Sequence, residues 1–225
     1  MSKKLILLAL AAVSAALFAM PAVAAAEDEP LHLNPTPSGA QTIDDVTVGN
    51  PTLSTTTGET IECGTFHGTA TFEAGGTTGH IELTFSEDCR DPGTRATCNS
   101  PGAAAGVITT TELPFHQLTL PNSKPGVLVT PNAETGVFAH IECGFGIVRF
   151  TVSGNGLVGT ITEPACGGRS NMATIDFNAT AHGVQEHTRV AGTTETYTLR
   201  KGTVTAAEDA TGTLTLSGES ELQCT

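Results

Sequence analysis

The residues with the most capable chemistry are histidines set beside carboxylates. His80-Ile81-Glu82 and His140-Ile141-Glu142 repeat one word, and along a β-strand residues i and i+2 share a face. With His67 on the facing strand of a hairpin, His67, His80 and Glu82 share one wet face. Imidazole with carboxylate is a ligand set for zinc or copper. The plainer reading is that these histidines cover the solvent side of a Thr-rich sheet, and it is preferred because three ligands must also meet at bonding distance. No nucleophile elbow, His-Glu-x-x-His helix or phosphate loop is present. Glu73 and Glu82 are the acid/base pair a hairpin at Gly75-Gly76 would bring nearest, but exposed strand carboxylates are the ordinary case. No catalytic residue is assigned and no cofactor is expected. With no Trp and one Tyr, the aromatic platform of a carbohydrate-binding module is missing.

Six cysteines are the other reactive groups: Cys63, Cys89, Cys98, Cys143, Cys166 and Cys224. No Cys-x-x-Cys pair occurs, so a zinc knuckle or thioredoxin-type site is not indicated. An export signal explains them better. Lys3-Lys4, an apolar run from Leu5 to Met20, Pro21 and the small residues Ala22 to Ala26 have the organisation of a secretory signal peptide. Residues 1–26 are therefore expected to leave, with cleavage after Ala24 or Ala26, placing the protein in the extracellular space or cell envelope. There disulfides persist, and three are expected, each adding about 2–4 kcal/mol.

The exported part needs that help. It holds 41 Leu, Ile, Val and Phe in 199 residues, close to the ~20% level below which chains tend to disorder. The formal charge of −13 repels phosphate, so neither nucleic acid nor an anionic membrane is an expected partner. No apolar run beyond the signal suits an integral membrane span.

The elements that must position these groups read as strands. Residues 27–42 carry charge and three prolines and read as a disordered spacer. Beyond it the apolar period is two: Phe66, Gly68, Ala70 and Phe72; Ile81, Leu83 and Phe85; Ala173, Ile175, Phe177 and Ala179. The 38 threonines fill the alternate positions, where a branched Cβ suits the pleat. Turn signals separate the runs, and Asn155-Gly156 predicts a hairpin between Phe150–Val152 and Leu157–Gly159. The expected fold is all-β, an antiparallel sandwich or barrel of about ten to twelve short strands, as one domain over residues 43–225. Ile61-Glu62-Cys63-Gly64 and Ile141-Glu142-Cys143-Gly144 open similar stretches. Duplication would favour bridges 63–89 and 143–166, leaving 98–224; convergence would leave the pairing open.

The order Leu83-Thr84-Phe85-Ser86-Glu87-Asp88-Cys89, then Cys98, Leu113-Pro114-Phe115 and Ile141-Glu142-Cys143, resembles a loosely defined group of secreted, cysteine-containing β-domain proteins of actinobacteria, over about residues 50–170. The resemblance implies export and a β fold and transfers no active site. The expected function is an exported, non-catalytic β domain, structural or an interaction module at the cell envelope or in the extracellular space. The alternative is an extracellular hydrolase or metal-binding protein using the His/Glu cluster.

Overall fold

The structure, a computed structural model, describes residues 31–34, 36–47, 50–163, 169–181 and 183–224. The expected signal peptide and Cys166 lie outside the described residues. The described chain is strand and turn, with no helix among the described residues, and every strand pair is antiparallel. In chain order the first strands are β1 (Leu31–Asn34), β2 (Ala40–Asp45), β3 (Thr52–Thr55), β4 (Thr60–Glu62), β5 (Thr65–Phe72), β6 (Thr78–Ser86) and β7 (Cys98–Asn99). There follow β8 (Ile108–Thr109), β9 (Leu113–Thr119), β10 (Pro125–Val129), β11 (Val137–Cys143), β12 (Val148–Gly154) and β13 (Leu157–Glu163). The last are β14 (Arg169–Ser170), β15 (Met172–Phe177), β16 (Ala179–Ala181), β17 (Val184–Gln185), β18 (Leu199–Lys201), β19 (Val204–Thr215) and β20 (Glu221–Cys224).

Between sandwich and barrel, the structure is a barrel. Eight strands run in the order β15-β13-β10-β9-β6-β5-β2-β19, and β19 pairs back onto β15 to close the ring. A second layer hangs from β19: β18, β12, β11 and β7 on one side, β3 and β4 on the other. Among the described residues twenty strand segments form against the ten to twelve expected, because β4, β7, β8, β14, β16, β17 and β18 have only two or three residues, too short to show a period, and β1 lies in the expected spacer.

The alternation read in the sequence sets which side chains face in. Phe66, Ala70, Phe72, Ile81 and Ala173 are buried in one continuous core, with Leu83, Phe85, Ile175 and Phe177 packed against it. Gly75 and Gly76, both at positive φ, close the β5–β6 hairpin. Small residues let these strands approach. A Cβ on Gly79 would lie 2.1 Å from the Thr71 carbonyl oxygen and 2.8 Å from the Phe115 ring.

Three expectations differ from the structure. The spacer is not free of structure: β1 pairs with β20 and β2 begins at Ala40. Gln41, 1% exposed, anchors this segment, donating from Nε2 to the Ser38 and Gly39 carbonyls and accepting the Ser217 N–H at Oε1. Asn155-Gly156 makes no hairpin, since β12 pairs with β11 and β18 whereas β13 pairs with β10 and β15. Asn155 instead accepts the Thr198 N–H at 2.8 Å and donates to the Thr196 carbonyl at 3.0 Å, so the chain crosses from the second layer into the barrel.

The third correction concerns the cysteines. Cys63 pairs with Cys89 as the duplication predicted, but Cys98 pairs with Cys143 rather than with Cys224, and Cys143 is not bridged to Cys166. Register is the reason: Cys98 on β7 stands directly opposite Cys143 on β11, their Cα atoms 4.0 Å apart. The Cys98 N–H also donates to the Cys89 carbonyl, so both bridges meet at one point and tie β4 to β11. The intact mass should rise on reduction by at least four hydrogens, two for each described bridge. Peptide mapping should recover 63–89 and 98–143. A Cys98–Cys224 peptide would contradict the fold.

Candidate functional site

The side chains singled out for metal binding are not brought together. His67 stands opposite Thr84 and His80 opposite Thr71, four positions along the strand, or about 13 Å at ~3.3 Å per residue. Glu82 faces Thr69 between them. The same register separates Glu73 from Glu82, four positions apart. His140 is exposed, and Glu142 pairs with Arg149 at 3.3 Å.

His80 has other neighbours. Its Nε2 lies 3.4 Å from Glu73 and its Nδ1 3.6 Å from Glu112. The two carboxylates meet opposite edges of one ring, so a single ion cannot engage both nitrogens. Among the described residues no group of three or more His, Cys, Asp or Glu is placed to hold a metal. The Thr78 hydroxyl, 2.6 Å away, is the main cause holding the Glu73 carboxyl below its usual range, with His80 adding to it. Burial lowers the neighbouring His116, partly offset by Glu73. This is a charge cluster on the outer wall, exposed at its two carboxylates, with His80 Nδ1 buried and without a hydrogen-bond partner.

The unusual chemistry lies inside the barrel. An apolar cavity of about 130 Å³ is walled by rings such as Phe66, Phe85, Phe115 and Phe177 and by aliphatic side chains of both layers. Three polar side chains line it: Thr110, Gln117 and Glu208. Thr110 is satisfied, its hydroxyl accepting the Leu83 N–H at 3.0 Å. Gln117, 8% exposed, leaves its Oε1 with no hydrogen-bond partner. Glu208 is the one ionisable group among the lining residues, and no hydrogen bond or ion pair to its carboxyl is formed among the described residues.

The backbone explains why a glutamate points inward. Along β19, Ala206, Glu208, Ala210, Gly212 and Leu214 share one face, and all but Ala206 line the cavity. Glu208 sits where β19 passes from the second layer into the barrel. There one edge of the strand lacks a neighbour between β18, which ends its pairing at Ala206, and β15, which begins at Ala210. Gln185, itself buried, fills the gap: its Oε1 accepts the Glu208 N–H at 3.1 Å and its Nε2 donates to the Glu208 carbonyl at 3.3 Å. The main chain is thereby fixed, and Glu208, half-buried, is among the residues that line the cavity.

Burial then sets its protonation. Desolvation, reinforced by the charge of Asp209, pushes Glu208 from 4.5 up to about 8, because the charged form loses its water and gains no partner. Sequence reading missed this residue. The signal was present as a carboxylate at the inward parity of an Ala/Gly/Leu strand, visible once the period of β19 is followed past Glu208.

No protein-family model, curated protein or solved structure matches the chain. The site therefore stands on its geometry.

The raised carboxyl has a consequence for stability. The native state holds a proton that the unfolded chain releases near 4.5, so Glu208's contribution is fully present below that pH and is lost as pH rises through about 8. The difference in Tm between wild type and Glu208→Gln should change between pH 5 and 9, with wild type losing ground as pH rises. A difference independent of pH in thermal melts would contradict an inward, unpaired Glu208.

Proposed function

We propose that the protein is an exported, non-catalytic binding domain that takes a small apolar molecule into its barrel. The cavity carries this reading: it is apolar, walled by side chains of both layers of sheet, and presents a few polar groups, the usual make-up of a small-molecule site. Transition-state chemistry needs several fixed groups converging on one reacting atom, and among the described residues the cavity offers a single ionisable one. That favours binding over hydrolysis, and the split His67/His80/Glu82 set favours it over metal binding.

Export rests on the amino-terminal sequence and is supported by the two disulfides, which persist in oxidising compartments. Among the described residues no helix is long and apolar enough to cross a membrane. The cell envelope and the extracellular space are where such a domain would meet its ligand.

Size narrows the ligand. A cavity of about 150 Å³ lined by Leu, Ile and Phe binds benzene, so about 130 Å³ suits a single ring or its aliphatic equivalent and not a long acyl chain. Toluene should raise the Tm of the wild-type protein by a few degrees at concentrations above its Kd. In Ala210→Leu, whose side chain enters the cavity beside Glu208, that rise should disappear. A Tm unaffected by toluene in wild type would sink the reading.

A further inference from the structure

We infer that the molecule the barrel selects is a small apolar amine, recognised inside the cavity by Glu208. This deepens the binding reading above and rests on it. Unpaired polar groups are rare in protein interiors, where the large majority find a partner, because leaving one in apolar surroundings forfeits its hydration with nothing in return. Gln117 Oε1 is such a group, and the half-buried Glu208, also lining the cavity, makes no carboxyl hydrogen bond or ion pair among the described residues. They stand on β9 and β19, which are four strands apart in the eight-strand ring and so form opposite walls.

The sign of these groups selects the ligand. Gln117 Oε1 only accepts hydrogen bonds, and the Glu208 carboxyl becomes a pure acceptor once ionised. Gln117 Oε1 therefore favours a guest carrying N–H donors, and Glu208 does so for a cationic guest that ionises it. Towards a neutral carbonyl or ether the protonated carboxyl is a donor. The protein's formal charge of −13 gathers cations around it and repels anionic amphiphiles such as carboxylates. The aromatic walls supply the rest, since ring faces attract a nearby cation. A ring bearing a one-carbon amine arm matches both the volume and the polarity.

The proton balance follows from the states of the partners. In water the amine is an ammonium ion, and in the empty cavity Glu208 is held neutral by burial. When the ammonium enters, the carboxyl O–H bond breaks, its proton passes to solvent, and an ammonium–carboxylate pair remains. Asp209, next along the strand, is the charged group acting on Glu208, and among the described residues no other ionisable side chain lines the cavity. The amine therefore supplies the counter-charge that the fold omits, whereas a neutral guest leaves the carboxyl protonated and releases no proton.

Calorimetric titration of the purified protein at pH 7 with benzylamine, benzyl alcohol and toluene, in two buffers of different ionisation enthalpy, tests this. We expect benzylamine to bind at least about tenfold more tightly than toluene or benzyl alcohol, with release of close to one proton. Glu208→Gln should abolish the preference and the proton release while still binding toluene. Toluene binding in wild type with no advantage for benzylamine, with equal affinity for benzyl alcohol, or with no proton released would overturn the amine proposal and leave the apolar-site reading standing. Failure of all three probes to bind wild type would overturn both. The wild-type proton count decides the matter even if the variant does not fold.

Discussion

β19 belongs to two sheets at once, and the rest of the molecule is arranged around that double membership. Along one edge it pairs with β3 through residues 206–209 and then with β2 through 212–215; along the other it pairs with β18 and then with β15. The β15 pairing closes the barrel and removes its open edges, which would otherwise invite association with other chains. The β3 and β18 pairings turn the second layer over the same core. A strand that changes sheets must leave a gap where one neighbour ends before the next begins. In this protein the gap falls at Glu208, and Gln185 closes it with both hydrogen bonds of a side-chain amide.

That arrangement explains how a thin core holds together. Buried apolar residues from both layers form one continuous cluster, with a smaller cluster outside the barrel wall, where Val190 and Tyr197 cover Leu118, Leu120, Leu128 and Val158. The paired disulfides fasten β4 and β11 of the second layer through the short segment between Cys89 and Cys98. The long-range pairings they secure are the ones most expensive in loop-closure entropy. The interior is left incompletely filled, and the one ionisable residue facing it has its backbone hydrogen bonds satisfied and its side chain unpaired. Rigid main chain with an uncommitted side chain is the condition under which a recognition group is pre-organised.

Local physics was readable from the residues. Alternation at Phe66–Phe72 and Ile81–Phe85 reports the inward face directly, because successive strand side chains take opposite sides. Gly75-Gly76 marks a turn that needs positive φ twice. What local words could not carry was partner choice. Asn155-Gly156 looks like a hairpin turn, but the Asn155 side chain binds the segment at Thr196–Thr198, distant in sequence. His67 and His80 share a face, yet the register of β5 against β6 separates them. Cys98 finds Cys143 because β7 docks beside β11, a pairing two residues long. Glu208 was hidden for a related reason: a strand's parity is legible only when its apolar members are recognised, and Ala206, Ala210 and Gly212 are weak markers of a core.

The account stands or falls on the environment of one carboxyl group. Carbon-detected NMR of protein labelled with ¹³C at the glutamate carboxyls, assigned by comparison with Glu208→Gln, follows its titration directly in the ligand-free protein. An inward, desolvated and unpaired Glu208 predicts a midpoint near 8, far from the ordinary 4.5. A midpoint close to 4.5 would show the carboxyl solvated or paired, and would contradict the interior site.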